Sequence, residues 1–138
     1  MSELRCLVLL PESKSDGLLR DMLWGSLHRS GIKPIRIDSS IPYGAPVTHV
    51  SDTARQMIES ADMIIADLTE TNPNIMYEVG YAHALRKPVL PILESGEQQV
   101  PSDLSGYLYY VYVPGELQDL ERVVRNWAER TAAQSFKL

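Results

Sequence analysis

The sequence holds one cysteine, one phenylalanine and three histidines in 138 residues. A lone thiol, Cys6, excludes an internal disulfide framework. His28, His49 and His83 are too widely spaced to suggest a metal-ligand cluster. Long hydrophobic runs are missing too, since no stretch approaches the roughly 20 apolar residues that cross a bilayer. No basic leader or small-residue cleavage site precedes the first apolar run at Leu4, so the sequence predicts no signal peptide. Positive charge is scarce: 13 Lys and Arg face 18 Asp and Glu, a net charge of −5. A protein that grips a duplex needs a basic footprint to displace counterions, so a nucleic-acid polymer is not an expected partner. Neither GxGxxG nor a Walker A glycine pattern is present, which leaves ATP hydrolysis and dinucleotide oxidoreduction without support. No cofactor and no metal are expected, and the chain reads as a soluble cytoplasmic domain.

What is present is an alternation of short apolar runs and amphipathic stretches. Leu4 to Pro11 (LRCLVLLP) has the continuous apolar character of a buried parallel strand. Leucines, Met22 and Trp24 recur at helical spacing from Leu18 until Gly31. Pro34 to Asp38, Met63 to Leu68, Val89 to Leu93 and Tyr107 to Val113 read as four further strands. Ser39 to Thr48, with two prolines and a glycine, reads as a loop. Ser51 to Ser60 reads as a helix with Ala54, Met57 and Ile58 inward. Asn72 before Pro73 signals a capped start for the next helix, expected to reach about Arg86. Leu117 to Thr131 forms the closing helix. This pattern predicts one domain over residues 1–138, an α/β fold with a doubly wound five-stranded parallel sheet of flavodoxin-like order 2-1-3-4-5. Pro91 disagrees with an interior strand because it has no N–H to donate, which calls for a bulge or a late strand start beside it.

In such a sheet ligands bind beyond the carboxyl ends of the strands, near the switch between the first and third. That rule gathers Pro11 to Asp16, the loop around Tyr43, and Asp67 to Asn74. Within these, Pro11, Ser13, Asp16, Tyr43, Thr69 and Asn74 are the substrate-contact candidates. Asp67 ends the third strand, and Glu78 lies about one and a half turns into the following helix. The neighbours of Glu78 are apolar, and no Lys or Arg stands three or four residues away, so its charged form is disfavoured unless donors reach it. Gly80 weakens the helix and suggests something packed close. Asn74 either caps the helix or orients Glu78, while Tyr77 and Tyr81 read as a packing pair. A surface Glu and a turn-capping Asp are the plain alternatives for the two acids.

The run IIADLTETNPNIMYEVGYAHALRKPVLPIL resembles the signature of the nucleoside 2-deoxyribosyltransferase-like superfamily, D-x(n)-N-P-N-x-x-Y-E-x-G-x-A-x-x-x-x-K-P, to which bacterial TIR-like domains are related. The resemblance implies cleavage or transfer at an N-glycosidic bond of a nucleoside, nucleotide or NAD-like ligand. It implies Glu78 as nucleophile and Asp67 as its assistant, both opening into one cleft. Many transferases place an aromatic residue soon after the first strand to hold the base. This chain has Pro11-Glu12-Ser13-Lys14-Ser15-Asp16 there, and Tyr43 is the substitute from the second loop.

The rival reading is a non-catalytic TIR-like module that senses nucleotides or signals by self-association. A response-regulator receiver is disfavoured, because the first strand ends in Leu10-Pro11 with only Glu12 as an acid, and no lysine follows the fifth strand. The tyrosines at 107, 109, 110 and 112, with the closing helix, suggest a homo-oligomer interface.

Overall fold

The computed structural model describes residues 3–37, 47–96 and 109–135 of the chain. The strands are β1 (Arg5–Leu9), β2 (Lys33–Ile35), β3 (Met63–Asp67), β4 (Val89–Glu94) and β5 (Tyr110–Tyr112), and the helices are α1 (Leu18–Arg29), α2 (Val47–Ser60), α3 (Pro73–Ala84) and α4 (Gln118–Ser135). One-turn 3-10 helices at Glu12–Lys14 and Thr69–Thr71 follow β1 and β3. All ladders are parallel, and the strand order is 2-1-3-4-5, as the sequence predicts.

Period-two alternation along β1 and β3 divides the core between two faces. Cys6, Val8, Met63 and Ile65 pack with Leu23 and Leu27 of α1 and with Leu120 and Val124 of α4. Leu7, Leu9, Ile64 and Ala66 pack with Ile58 of α2 and with Ile75 and Val79 of α3. Each fully buried Leu or Ile contributes about 1.5–3 kcal/mol. Cys6 is completely buried, and that burial pushes its thiol up, so it serves as core rather than nucleophile.

Pro91 fits without a bulge. Bonds from the Ile64 N–H to the Pro88 carbonyl and from the Leu68 N–H to the Ile92 carbonyl turn the even residues of β4 toward β3. The Ser95 N–H donates to the Tyr112 carbonyl, so the odd residues face β5. Pairing with β5 begins only at Ile92 opposite Tyr110, so the nitrogen of Pro91 lies ahead of that ladder. Neither expected alternative holds: β4 begins at Val89 and pairs Pro91 with Ala66, and the proline is tolerated because its nitrogen faces the side where the β5 ladder has not yet begun.

Element boundaries differ from the sequence reading where backbone geometry intervenes. Helix α2 starts at Val47, inside the segment read as a loop, and the call on Tyr43 in that loop lies outside the described residues. Helix α3 stops at Ala84 because Arg86 turns left-handed, with φ +58. There the Arg86 N–H donates to the His83 carbonyl and the Lys87 N–H to that of Ala82, a Schellman-type ending without glycine. The Lys87 ammonium donates to the carbonyls of Glu59, in the last turn of α2, and Ala61, just past its end, tying the two helix ends together.

Candidate active site

The segment between β3 and α3 is shaped by Asp67. Its side chain is 0% exposed and lies on the α1/α4 face of the sheet. Oδ1 accepts from the Thr69 N–H at 2.9 Å and from the Thr69 hydroxyl at 2.5 Å. Oδ2 accepts from the Tyr112 hydroxyl at 2.6 Å. The Glu94 N–H in turn donates to Thr69 Oγ1 at 3.0 Å, so β3, β4 and β5 share one polar knot. Burial raises the Asp67 carboxyl above its ordinary range, and the bonds from Thr69 and Tyr112 hold that rise back. Lys14 closes the outside of the knot: its ammonium pairs with Glu94 at 2.9 Å and lies 6.0 Å from the centre of the Tyr112 ring.

Two successive non-glycine residues, Glu70 and Thr71, then adopt left-handed conformations, with φ of 73 and 48. Such strain persists only where surrounding bonds determine it. The Ser13 hydroxyl donates to Glu70 Oε1 at 2.8 Å, and the Thr71 N–H donates to the Leu68 carbonyl at 3.1 Å. The chain leaves this turn at Asn72, whose side-chain carbonyl accepts from the N–H groups of Asn74 and Ile75. Pro73 occupies the first helical position, where its missing N–H costs nothing. The cap and proline fix the start of α3 and thereby the place of Glu78.

Glu78 lines a cavity of about 540 Å³ at the carboxyl end of β1, with Asn72, Asn74 and Ile75 of the α3 start on its own side. Glu12, Ser15, Asp16, Arg20 and Trp24 come from the β1–α1 side, and Arg36 and Ile37 from beyond β2. The volume suits a small ligand. Glu78 Oε2 is buried and has no hydrogen-bond partner among the described residues. Burial alone pushes its carboxyl up to about 7. A carboxylate in this state is poorly solvated and hence a strong base and nucleophile when ionised.

Of the residues read from the sequence, the structure brings Glu78, Asp16 and Asn74 to this cavity. Asp67 and Glu78 do not share a cleft: they belong to opposite faces of the sheet, because Asp67 continues the inward alternation of Met63 and Ile65 while α3 covers the other side. Thr69 is buried in the Asp67 knot, and Ser13 is engaged with Glu70. Pro11 is buried, its carbonyl accepting from the Lys14 N–H, and it does not line the cavity. Asn74 is not the cap, since Asn72 fills that role. Nothing packs within 4 Å of a side chain built on Gly80. Tyr77 is 53% exposed, and the Tyr81 hydroxyl donates to Glu59, so the two tyrosines are not a buried pair. Tyr112, read as part of an interface, is instead buried in the knot.

Arg20, Trp24, Arg36 and Glu12 were not singled out in the sequence. The Arg20–Trp24 spacing of four residues after a strand-one loop is the one signal that pointed to them: the guanidinium lies 4.5 Å from the centre of the indole ring. Among the described residues no cluster of three or more His, Cys, Asp or Glu is arranged to hold a metal, and no helix is long and apolar enough to cross a membrane.

A parallel α/β sheet with a cavity beyond the carboxyl end of β1 has the ligand-site topology of the doubly wound α/β class. The family is identified by residues 27–107, which match the nucleoside 2-deoxyribosyltransferase model; the chain belongs to that family. No curated protein sequence matches it significantly. Among solved structures, it is similar to a 2-desoxiribosyltransferase from Leishmania mexicana, with 21% identity, a TM-score of 0.55, and 65% of this chain covering 64% of that one. The chain thus spans just under two thirds of that enzyme's length. It is also similar to a 2-deoxyribosyltransferase from Bacillus psychrosaccharolyticus, with 16% identity, a TM-score of 0.62, and 85% and 90% of the two chains covered. A third likeness is to a CMP N-glycosidase from Clostridium botulinum, with 18% identity, a TM-score of 0.55, and 96% and 99% covered. A TIR domain from Hydra magnipapillata shares the same fold, with a TM-score of 0.61.

Proposed function

We propose that this protein cleaves or transfers at the N-glycosidic bond of a nucleoside, nucleotide or NAD-like ligand, with Glu78 as the nucleophile. The observation that carries this reading is Glu78, which lines a ligand-sized cavity and whose buried Oε2 has no hydrogen-bond partner among the described residues. Ionised, that carboxylate attacks the anomeric carbon as the carbon–nitrogen bond breaks. The bonding electrons leave with the base, which takes a proton from water. The resulting glycosyl ester is opened when water, or a second base, attacks the same carbon and returns the electron pair to Glu78.

Asn74, one helical turn before Glu78, is placed to hold the sugar or the carboxylate through its amide. Asp67 does not touch this cavity, so its part is that of a positioning residue: through Thr69 it holds the strained turn from which α3 departs. A cavity-facing Glu78 supports an enzyme over a purely associative signalling module.

The test is to incubate the purified protein with nucleosides, nucleoside monophosphates and NAD, and to follow released base by chromatography. Base release that disappears in Glu78→Gln is the expected result. Release that continues unchanged in a folded Glu78→Gln protein removes Glu78 from the mechanism, and no release from any of the three classes overturns the reading.

A further inference from the structure

The chain is acidic, with a net charge of −5, yet two of its arginines line the cavity that holds Glu78. They enter from different elements. Arg20 stands in the first turn of α1, and Arg36 follows directly on β2. Neither neutralises Glu78, because the upward push on that carboxyl comes from burial with no opposing charge. A guanidinium in contact would have pulled it down.

Arg20 is set up as a receptor rather than as a structural ion-pair member. Its only ion pair among the described residues is the loose 3.5 Å contact with the neighbouring, largely exposed Asp21. The stack on Trp24 holds the guanidinium plane in place. Its Nε is buried with no acceptor among the described residues, and a buried N–H without a partner is costly enough to call for an acceptor that arrives with a ligand. Arg36 is exposed and has no ion pair among the described residues. Two unspent guanidinium forks beside one cavity match the geometry of phosphate oxygens. A free nucleoside offers nothing that needs them.

We propose that Arg20 and Arg36 form an anion subsite, so that the substrate of the Glu78 site is a phosphorylated nucleoside rather than a free one. This rests on the reading of Glu78 as the glycosidic nucleophile and adds the substrate class to it. Glu12 and Asp16 line the same cavity and repel a phosphate, so it is the guanidinium groups that would hold one. The two acids are suited to accept from sugar hydroxyls instead.

The test separates binding from turnover. Full-length Glu78→Gln protein is titrated calorimetrically with adenosine, cytidine, guanosine and uridine, with their 5′-monophosphates, and with NAD. Ribose 5-phosphate and inorganic phosphate serve as base-free probes. The expected result is that phosphorylated ligands bind at least about 100-fold more tightly than the matching nucleosides. That preference should fall about 10- to 100-fold on adding Arg20→Gln or Arg36→Gln, as expected for losing a charged hydrogen bond. Arg20→Lys should recover part of it. Preference for the monophosphate or for NAD tells a phosphomonoester from a diphosphate bridge, and either supports the subsite. Equal binding of nucleoside and nucleotide, or a preference untouched by Arg36→Gln, overturns it; Arg36 is exposed, so that variant keeps the fold even where Arg20→Gln does not. Wild-type base release distinguishes the two proposals. Equal kcat/KM on nucleosides and nucleotides overturns the subsite and leaves the glycosidic reading standing. A phosphate preference in binding without any base release does the reverse.

Discussion

Asp67 and Glu78 are acids of nearly the same chemistry, eleven positions apart; Asp67 is fully buried, and Glu78 is half-buried with its Oε2 covered. Asp67 receives three donors, from the Thr69 backbone, the Thr69 hydroxyl and the Tyr112 hydroxyl. Glu78 Oε2 receives none among the described residues. The comparison teaches that burial alone does not make a reactive acid. Donors turn a buried carboxylate into a joint of the fold, and their absence leaves its reactivity unspent.

The largest expected effect breaks the pair apart by function. Glu78→Gln should lower the rate of base release by about a thousandfold or more, since an amide cannot form the glycosyl ester. The fold should survive, as checked by circular dichroism. In the wild type, kcat/KM should rise with pH and level off through an inflection near 7, because the attacking carboxylate must be ionised. A profile flat through that region would deny Glu78 its role.

Asp67→Ala should act on the other side of the comparison. It strands three buried donors and should destabilise the protein by about 2–4 kcal/mol in urea unfolding. Tyr112→Phe removes one of those donors and should cost about 1–2 kcal/mol. If either variant lost activity while keeping full stability, Asp67 would have to touch the reaction, and the division between the two acids would fail.

The smallest effect concerns stability and pH. Glu78 titrates near 7 in the fold against an ordinary 4.5, so between these values the folded chain keeps a proton that the unfolded chain has lost. Its contribution to stability should therefore decline as pH rises from about 4.5 to 7 and stay low above that. Glu78→Gln lacks this decline. With allowance for the part of the side chain that water reaches, the variant should gain about 1 kcal/mol over wild type at pH 8 and nothing at pH 4. An equal gain at both values would mean the charge of Glu78 is solvated after all.

The order of the sheet, the cap at Asn72 and the apolar setting of Glu78 were legible because each is a local property of the chain. Period-two and helical spacing mark buried faces, and Asn before Pro marks a helix start. Pro91 was misjudged: it sits inside β4 without a bulge, because its nitrogen faces β5 one residue before that ladder begins. Less local features were misread. Thr69 and Ser13 looked like ligand contacts because polar loops all look alike in sequence; their hydroxyls are spent on Asp67 and Glu70. Tyr112 looked like surface because alternation tells which residues share a face, not which face is covered.

By itself, then, the sequence determined the architecture, through periodicity, and the place of Glu78 in the helix after β3, through a contiguous motif. Only the tertiary structure decided which buried acid is satisfied. Thr69 and Glu94 are 25 residues apart, and Asp67 and Tyr112 are 45 apart, so the knot exists only once β3, β4 and β5 are side by side. The same holds for Arg20 and Arg36, which line one cavity with Glu78 because β1 lies between β2 and β3. Hydrogen bonds and charges act over a few ångströms of space, whatever the separation along the chain.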